Sequence, residues 1–139
     1  AFRYFLLRDM VFGLDSNFSE AAFVGRLNAD LANDLGNLVS RTITMAIKYC
    51  DGKVPEVGSK ERSSVLREAA LKAVSDVETG FEDMSLHKAL MAIWEYINIT
   101  NKYIVENEPW TLGKDPANRE KLTVIMYNLR QLNKQEGFR

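Results

Sequence analysis

The stretch Phe23-Val24-Gly25-Arg26-Leu27-Asn28-Ala29-Asp30-Leu31-Ala32-Asn33-Asp34-Leu35-Gly36-Asn37-Leu38-Val39-Ser40-Arg41-Thr42 decides the fold. Phe23, Leu27, Leu31, Leu35, Leu38, Thr42 and, just beyond, Met45 step by three and four, the spacing of one helical face. A helix of that length buries its stripe only against other helices or a sheet. Asn17 or Ser19 opens it, and Asn17 with Glu20 three residues on has capping-box spacing. Gly36 costs about 1 kcal/mol relative to Ala in a helix interior, so close packing or a kink is expected there.

Outward from this helix the chain keeps the same period. Asp51-Gly52, Pro55 and Gly58 make an irregular connection. A second helix is predicted over roughly Lys60–Thr79, with Val65, Leu66, Ala69, Leu71, Ala73 and Val77 as its apolar positions and Gly80 as its end. A third runs from near Ser85 to Val105 on Leu86, Leu90, Ile93, Trp94, Ile97 and Ile99. Glu106–Asp115 reads as a loop holding Pro109-Trp110, and Pro116 suits the first turn of a fourth helix over about Ala117–Leu132.

Before the long helix, Gly13-Leu14-Asp15-Ser16-Asn17 is a loop, and Phe2, Phe5, Leu6 and Met10 recur at helical spacing. Strand-like alternation and internal repeats are lacking. The expectation is an all-α, up-and-down bundle of four main helices (residues 17–139) with a short N-terminal helical appendage (residues 1–16). The first helix is entered abruptly, without an initiator Met, so the chain is expected to be a piece of a longer protein.

Composition narrows the chemistry. The 139 residues are 46% hydrophobic and 27% charged, an ordinary globular balance. No apolar run approaches the roughly 18 residues of a spanning helix, so no membrane role is expected. With 18 basic and 19 acidic residues the formal charge is −1, which argues against a generic polyanion binder such as a DNA-coating protein. Any nucleic-acid contact must come from a local patch. One cysteine, Cys50, excludes an internal disulfide and fits a reducing, cytoplasmic setting. One histidine, His87, has Met84 three residues before it, so the Glu-x-x-His pairs of di-iron bundles are absent. Gly-rich phosphate loops, Cys-x-x-Cys and His-Glu-x-x-His are missing as well. No catalytic, cofactor-binding or metal-binding residue is assigned.

Two features stand apart. Asn33, Asn37, Arg41, Thr44 and Lys48 form one row along the long helix, at steps of four, four, three and four. Such a row either hydrogen-bonds within a polar seam or presents amide and guanidinium groups to the edge of a base. Trp110, after Pro109, either plugs the bundle end or offers a stacking face. That loop is expected at the same end of the bundle as the start of the long helix, within reach of its middle. Aromatic plate and Asn/Arg row together suit one unstacked base.

The residues also resemble a known family. Arg3-Tyr4-Phe5-Leu6-Leu7-Arg8, Phe12-Gly13 and Asp15-Ser16-Asn17-Phe18-Ser19 are similar to class I methionyl-tRNA synthetase just beyond its catalytic domain. The run from Asn28 to Thr42 resembles that family's anticodon-domain helix. Tyr49, Asp51-Gly52-Lys53-Val54-Pro55, Trp94, Asn101-Lys102-Tyr103-Ile104 and Pro109-Trp110 continue the likeness to about residue 130. The resemblance implies a domain that reads the CAU anticodon of methionine tRNA. Asn37 and Arg41 would meet the cytosine, Trp110 would stack on an anticodon base, and Pro109 would shape its loop. It implies a parent ligase that uses ATP and Mg2+, while this segment, without the catalytic domain, holds no cofactor and is inactive alone. Two alternatives stand beside it: the anticodon domain of another class I synthetase, and a protein–protein docking bundle without an RNA role.

Overall fold

Ser19, not Asn17, caps the long helix: its hydroxyl accepts the Ala22 N–H at 3.4 Å. The computed structural model describes residues 1–53, 56 and 63–130, and among them the regular structure is entirely helical. Helix α1 (Phe2–Asp9) precedes α2 (Glu20–Arg26), which runs through a wider-wound segment, Leu27–Gly36, straight into α3 (Asn37–Cys50). Arg26, Leu27, Gly36 and Asn37 keep right-handed helical dihedrals, so the three pieces form one rod. Then follow α4 (Ser64–Glu82), α5 (Leu86–Asn107), the single turn α6 (Pro109–Leu112), a 3-10 turn (Pro116–Asn118) and α7 (Arg119–Arg130). The rod, α4, α5 and α7 are the four main helices, and α1 is the appendage. The Pro55 and Gly58 connection, the predicted start of the second helix at Lys60 and the predicted stop of the fourth at Leu132 lie outside the described residues.

The core is built by Leu38 and Met45 of the rod, Trp94, Ile97 and Ile104 of α5, and Leu122, Ile125, Met126 and Leu129 of α7. Leu31, Leu35 and Tyr49 pack on its edge. The predicted stripe of the rod is therefore the face that turns inward. Those of the next two helices are partly wrong: Val65, Leu71 and Ile93 are exposed. α4 packs chiefly against α5, and a helix with one neighbour buries a narrower face than its apolar content suggests.

Gly80 does not end α4. The helix continues to Glu82, and Gly80 is buried where a Cβ would stand 2.9 Å from that of Ala89 on α5. It is the contact point of the helix pair, and the turn comes after it, with Met84 in the left-handed region and Ser85 N–H donating to the Gly80 carbonyl at 2.7 Å. At Gly36, by contrast, a Cβ would meet no other helix. A Cβ there would meet the Leu31 carbonyl oxygen at 3.0 Å, five residues back in its own wider turn. The stretch Glu106–Asp115 is not a simple loop, because α5 runs to Asn107 and Pro109 starts the one-turn α6. Proline at the first helical position loses no intrahelical bond and arrives with its φ preset.

Candidate nucleic-acid interface

Rotation of the rod is set by Leu38 and Met45, which are buried. With those two inside, Asn33, Asn37, Arg41, Thr44 and Lys48 all face outward and all are exposed. The row is not a polar seam. Among the described residues neither the Asn37 amide nor the Arg41 guanidinium has a hydrogen-bond or ion-pair partner.

Arg41 instead reaches across to α6. Its Cζ lies 5.9 Å from the centroid of the Trp110 ring, within the range of a cation–π contact. Pro109 is fully buried beneath, and it, not Trp110, plugs the end of the bundle. Trp110 stays 37% exposed, which leaves part of the indole surface uncovered. The turn that carries it is closed by Thr111 N–H and Leu112 N–H to the Glu108 carbonyl, at 2.8 and 3.2 Å, and by Gly113 N–H to the Pro109 carbonyl at 2.9 Å. Glu108, with φ 41°, takes the left-handed conformation that lets α5 end and α6 begin at once. Thus Arg41 and Trp110 meet, Pro109 supports the turn, and Asn37 lies one helical turn from Arg41. The turn sits not at the start of the rod, as expected, but toward its far end beside Tyr49, because an up-and-down order puts the loop after the third helix where the first one finishes. At the end of the rod Lys48 places its ammonium 5.2 Å from the ring centroid of Tyr49.

A second cluster, on the rod nearer α1, was not foreseen. Asp30 is buried, and its carboxylate accepts the Tyr4 hydroxyl proton and lies 3.7 Å from Arg8 Nε and 3.6 Å from an Arg26 nitrogen. Burial, and then the bond to Asp30, push the Tyr4 hydroxyl pKa well above the usual tyrosine range. Arg26 also pairs with Asp9 at 2.7 Å, and the Tyr4 ring stands 4.7 Å from that of Trp94. The Asp30 and Asp34 carbonyls accept from the Trp94 indole N–H at 3.4 Å and the Asn101 amide at 3.2 Å. This ties the wide-turn segment to α5 and α1 to both. No local pattern announces a Tyr–Asp pair 26 residues apart. Among the described residues no group of His, Cys, Asp or Glu is arranged to hold a metal, and no helix is long and apolar enough to cross a membrane.

Comparison with known proteins places the chain in a family. The family model described as "tRNA synthetases class I (M)" matches residues 1–43, so the class is that of the class I tRNA synthetases. The chain is 43% identical over 139 residues to methionine–tRNA ligase 1 of Bacillus anthracis, covering 99% of this chain and 21% of that protein. It is 47% identical over 131 residues to the methionine–tRNA ligase of Halalkalibacterium halodurans, covering 93% of this chain and 20% of the other. The structure of Mycobacterium tuberculosis methionyl-tRNA synthetase in complex with methionyl-adenylate superposes with a TM-score of 0.84 at 35% identity, over 94% of this chain and 26% of that one. The chain belongs to the methionyl-tRNA synthetase family. It spans about one fifth of the length of the curated relatives it matches.

Proposed function

We propose that this bundle recognises the anticodon of methionine tRNA, CAU, for an enzyme that joins methionine to that tRNA. The observation that carries the reading is the Arg41–Trp110 pair on an exposed face, one helical turn from Asn37, in a chain of this family. Trp110 offers a stacking surface worth about 1–3 kcal/mol per base. Arg41 donates to the cytosine carbonyl or ring nitrogen, and Asn37 completes the edge through its amide. Uracil presents an N–H where cytosine presents a ring nitrogen, so it would leave a donor facing a donor and bind less well. The bundle itself takes no cofactor in this reading. ATP and Mg2+ serve the catalytic part of the longer enzyme, and that part is the bundle's partner within the same polypeptide.

The test is a titration of this chain with two anticodon stem-loops, CAU and UAU, at one salt concentration, followed by Trp fluorescence. Fixed salt matters because phosphate contacts weaken steeply with ionic strength. A quench selective for CAU that is lost in Trp110→Phe is the expected result. In the full-length enzyme Trp110→Ala and Arg41→Gln should slow tRNA charging tenfold or more, given about 1.4 kcal/mol per decade, with methionine activation unchanged. An equal fall in activation would mean misfolding and would sink the assignment. The exposed Phe2, Phe12, Leu14 and Phe18 favour a second reading, a docking bundle that associates through this apolar end. Light scattering over a concentration range tests it, and a strictly monomeric chain removes its motive.

A further inference from the structure

Gly113 has no conformational reason to be glycine. Its φ of −69° and ψ of −5° lie in the right-handed region open to any residue. What it lacks room for is a side chain: a Cβ would stand 2.3 Å from Cε1, 2.7 Å from Cζ and 3.0 Å from Cδ1 of Tyr49. The Tyr49 ring is half-buried and packs on the edge of the core, which limits how far it can step aside. Gly113 closes the turn that holds Trp110, through its N–H to the Pro109 carbonyl, and Tyr49 ends the same rod that carries Arg41. Leu112, next to Gly113, packs on the core as well.

From this we infer that Tyr49 and Gly113 form a lock setting the distance between α6 and the rod, and hence the seat of the Trp110 indole against Arg41. Both are positioning residues that never touch the RNA. Seen from the rod, the ring is a spacer. Seen from α6, the missing Cβ lets the turn come down onto it. The consequence for base recognition rests on the anticodon reading above, while the consequence for Trp110 does not.

The experiment uses the 139-residue chain labelled with 5-fluorotryptophan, in which Trp94 and Trp110 give two 19F resonances, assigned with Trp94→Phe. Gly113→Ala should move the Trp110 resonance, leave that of Trp94 in place, and weaken binding of the CAU stem-loop about tenfold, the scale of one lost stacking contact. UAU binding should fall by a similar factor, because every base offers a face to stack and the discriminating edge contacts lie on the rod. Tyr49→Ala combined with Gly113→Ala opens the space the new methyl needs, so both readouts should return toward those of Tyr49→Ala alone. A Trp110 resonance unmoved by Gly113→Ala overturns the lock. So does movement of both resonances with a lower melting temperature, which marks general destabilisation, or a double variant worse than either single one. If the unmodified chain binds CAU and UAU equally, the anticodon reading fails, and the 19F arm alone still decides the lock.

Discussion

Arg41 and Trp110 illustrate how a residue's use depends on what its neighbours leave it. The guanidinium is held by an indole face, not by a carboxylate, so its N–H fork is preorganised yet unspent. A carboxylate partner would have consumed the same donors in a bidentate pair. Cys50, at the other end of α3, is the opposite case. Burial pushes its thiol pKa above the ordinary range, against a smaller opposing pull from Arg119. Less thiolate forms at neutral pH, and the thiolate is the nucleophile. Cys50 should therefore react more slowly with a maleimide or a disulfide reagent at pH 7.5 than free cysteine does. Its rate should rise through a midpoint at higher pH, and stopped-flow labelling against pH reads this directly.

At the scale of elements, Gly36 and Gly80, both inside helices, do different work. Gly80 is where α4 and α5 come closest, and adding a methyl would press on Ala89 from 2.9 Å, with its backbone N and Cα at 3.0 and 3.2 Å. Helix propensity alone would make Gly80→Ala favourable by about 1 kcal/mol. Overpacking a tight backbone contact costs about 1–3 kcal/mol, and here it should win because part of what is met is backbone. Net destabilisation in urea unfolding is expected, and a stabilised Gly80→Ala would show that the helix pair yields without strain. The presence and order of the main helices were readable because apolar spacing and proline are local signals. Where α4 stops was not, since Gly80 has the same local signature whether it ends a helix or receives another one. The one-turn α6 was missed for a related reason: four residues carry no period.

At the scale of the whole molecule, Asp30 is the joint between α1, the rod and α5. Removing its carboxylate in Asp30→Ala leaves Arg8 and Tyr4 without their partner in a covered place. It should cost about 3 kcal/mol, the lower end for a broken buried pair because the Arg26 side chain is a third exposed. Tyr4→Phe should cost less. The same joint sets an alkaline limit. Tyr4, Tyr96 and Tyr103 all hold their protons more tightly folded than unfolded, chiefly through burial. Their contribution is complete below the unfolded tyrosine value of about 10 and is lost as pH rises above it, because the unfolded chain releases the protons first. Urea unfolding at pH 8, 10 and 11 should show stability falling across the last two, with a shallower fall in Tyr4→Phe. An equal slope in that variant would mean that Tyr4 titrates as an exposed phenol.

The four main helices, their order and the inward face of the rod follow from residue order alone, because a 3.6-residue period acts between near neighbours and needs no partner to be legible. Asn37, Arg41, Pro109 and Trp110 stand out in the sequence by their chemistry and spacing and by the resemblance they carry. That Arg41 lies over Trp110, that Pro109 rather than Trp110 is the plug, and that Tyr49 meets Gly113 were settled only by tertiary packing. Those contacts join residues more than 60 positions apart, and their geometry depends on how far each helix runs before it turns. Asp30, one acidic residue among many in the sequence, became a buried anchor only when α1 folded back with Tyr4 and Arg8 to cover it.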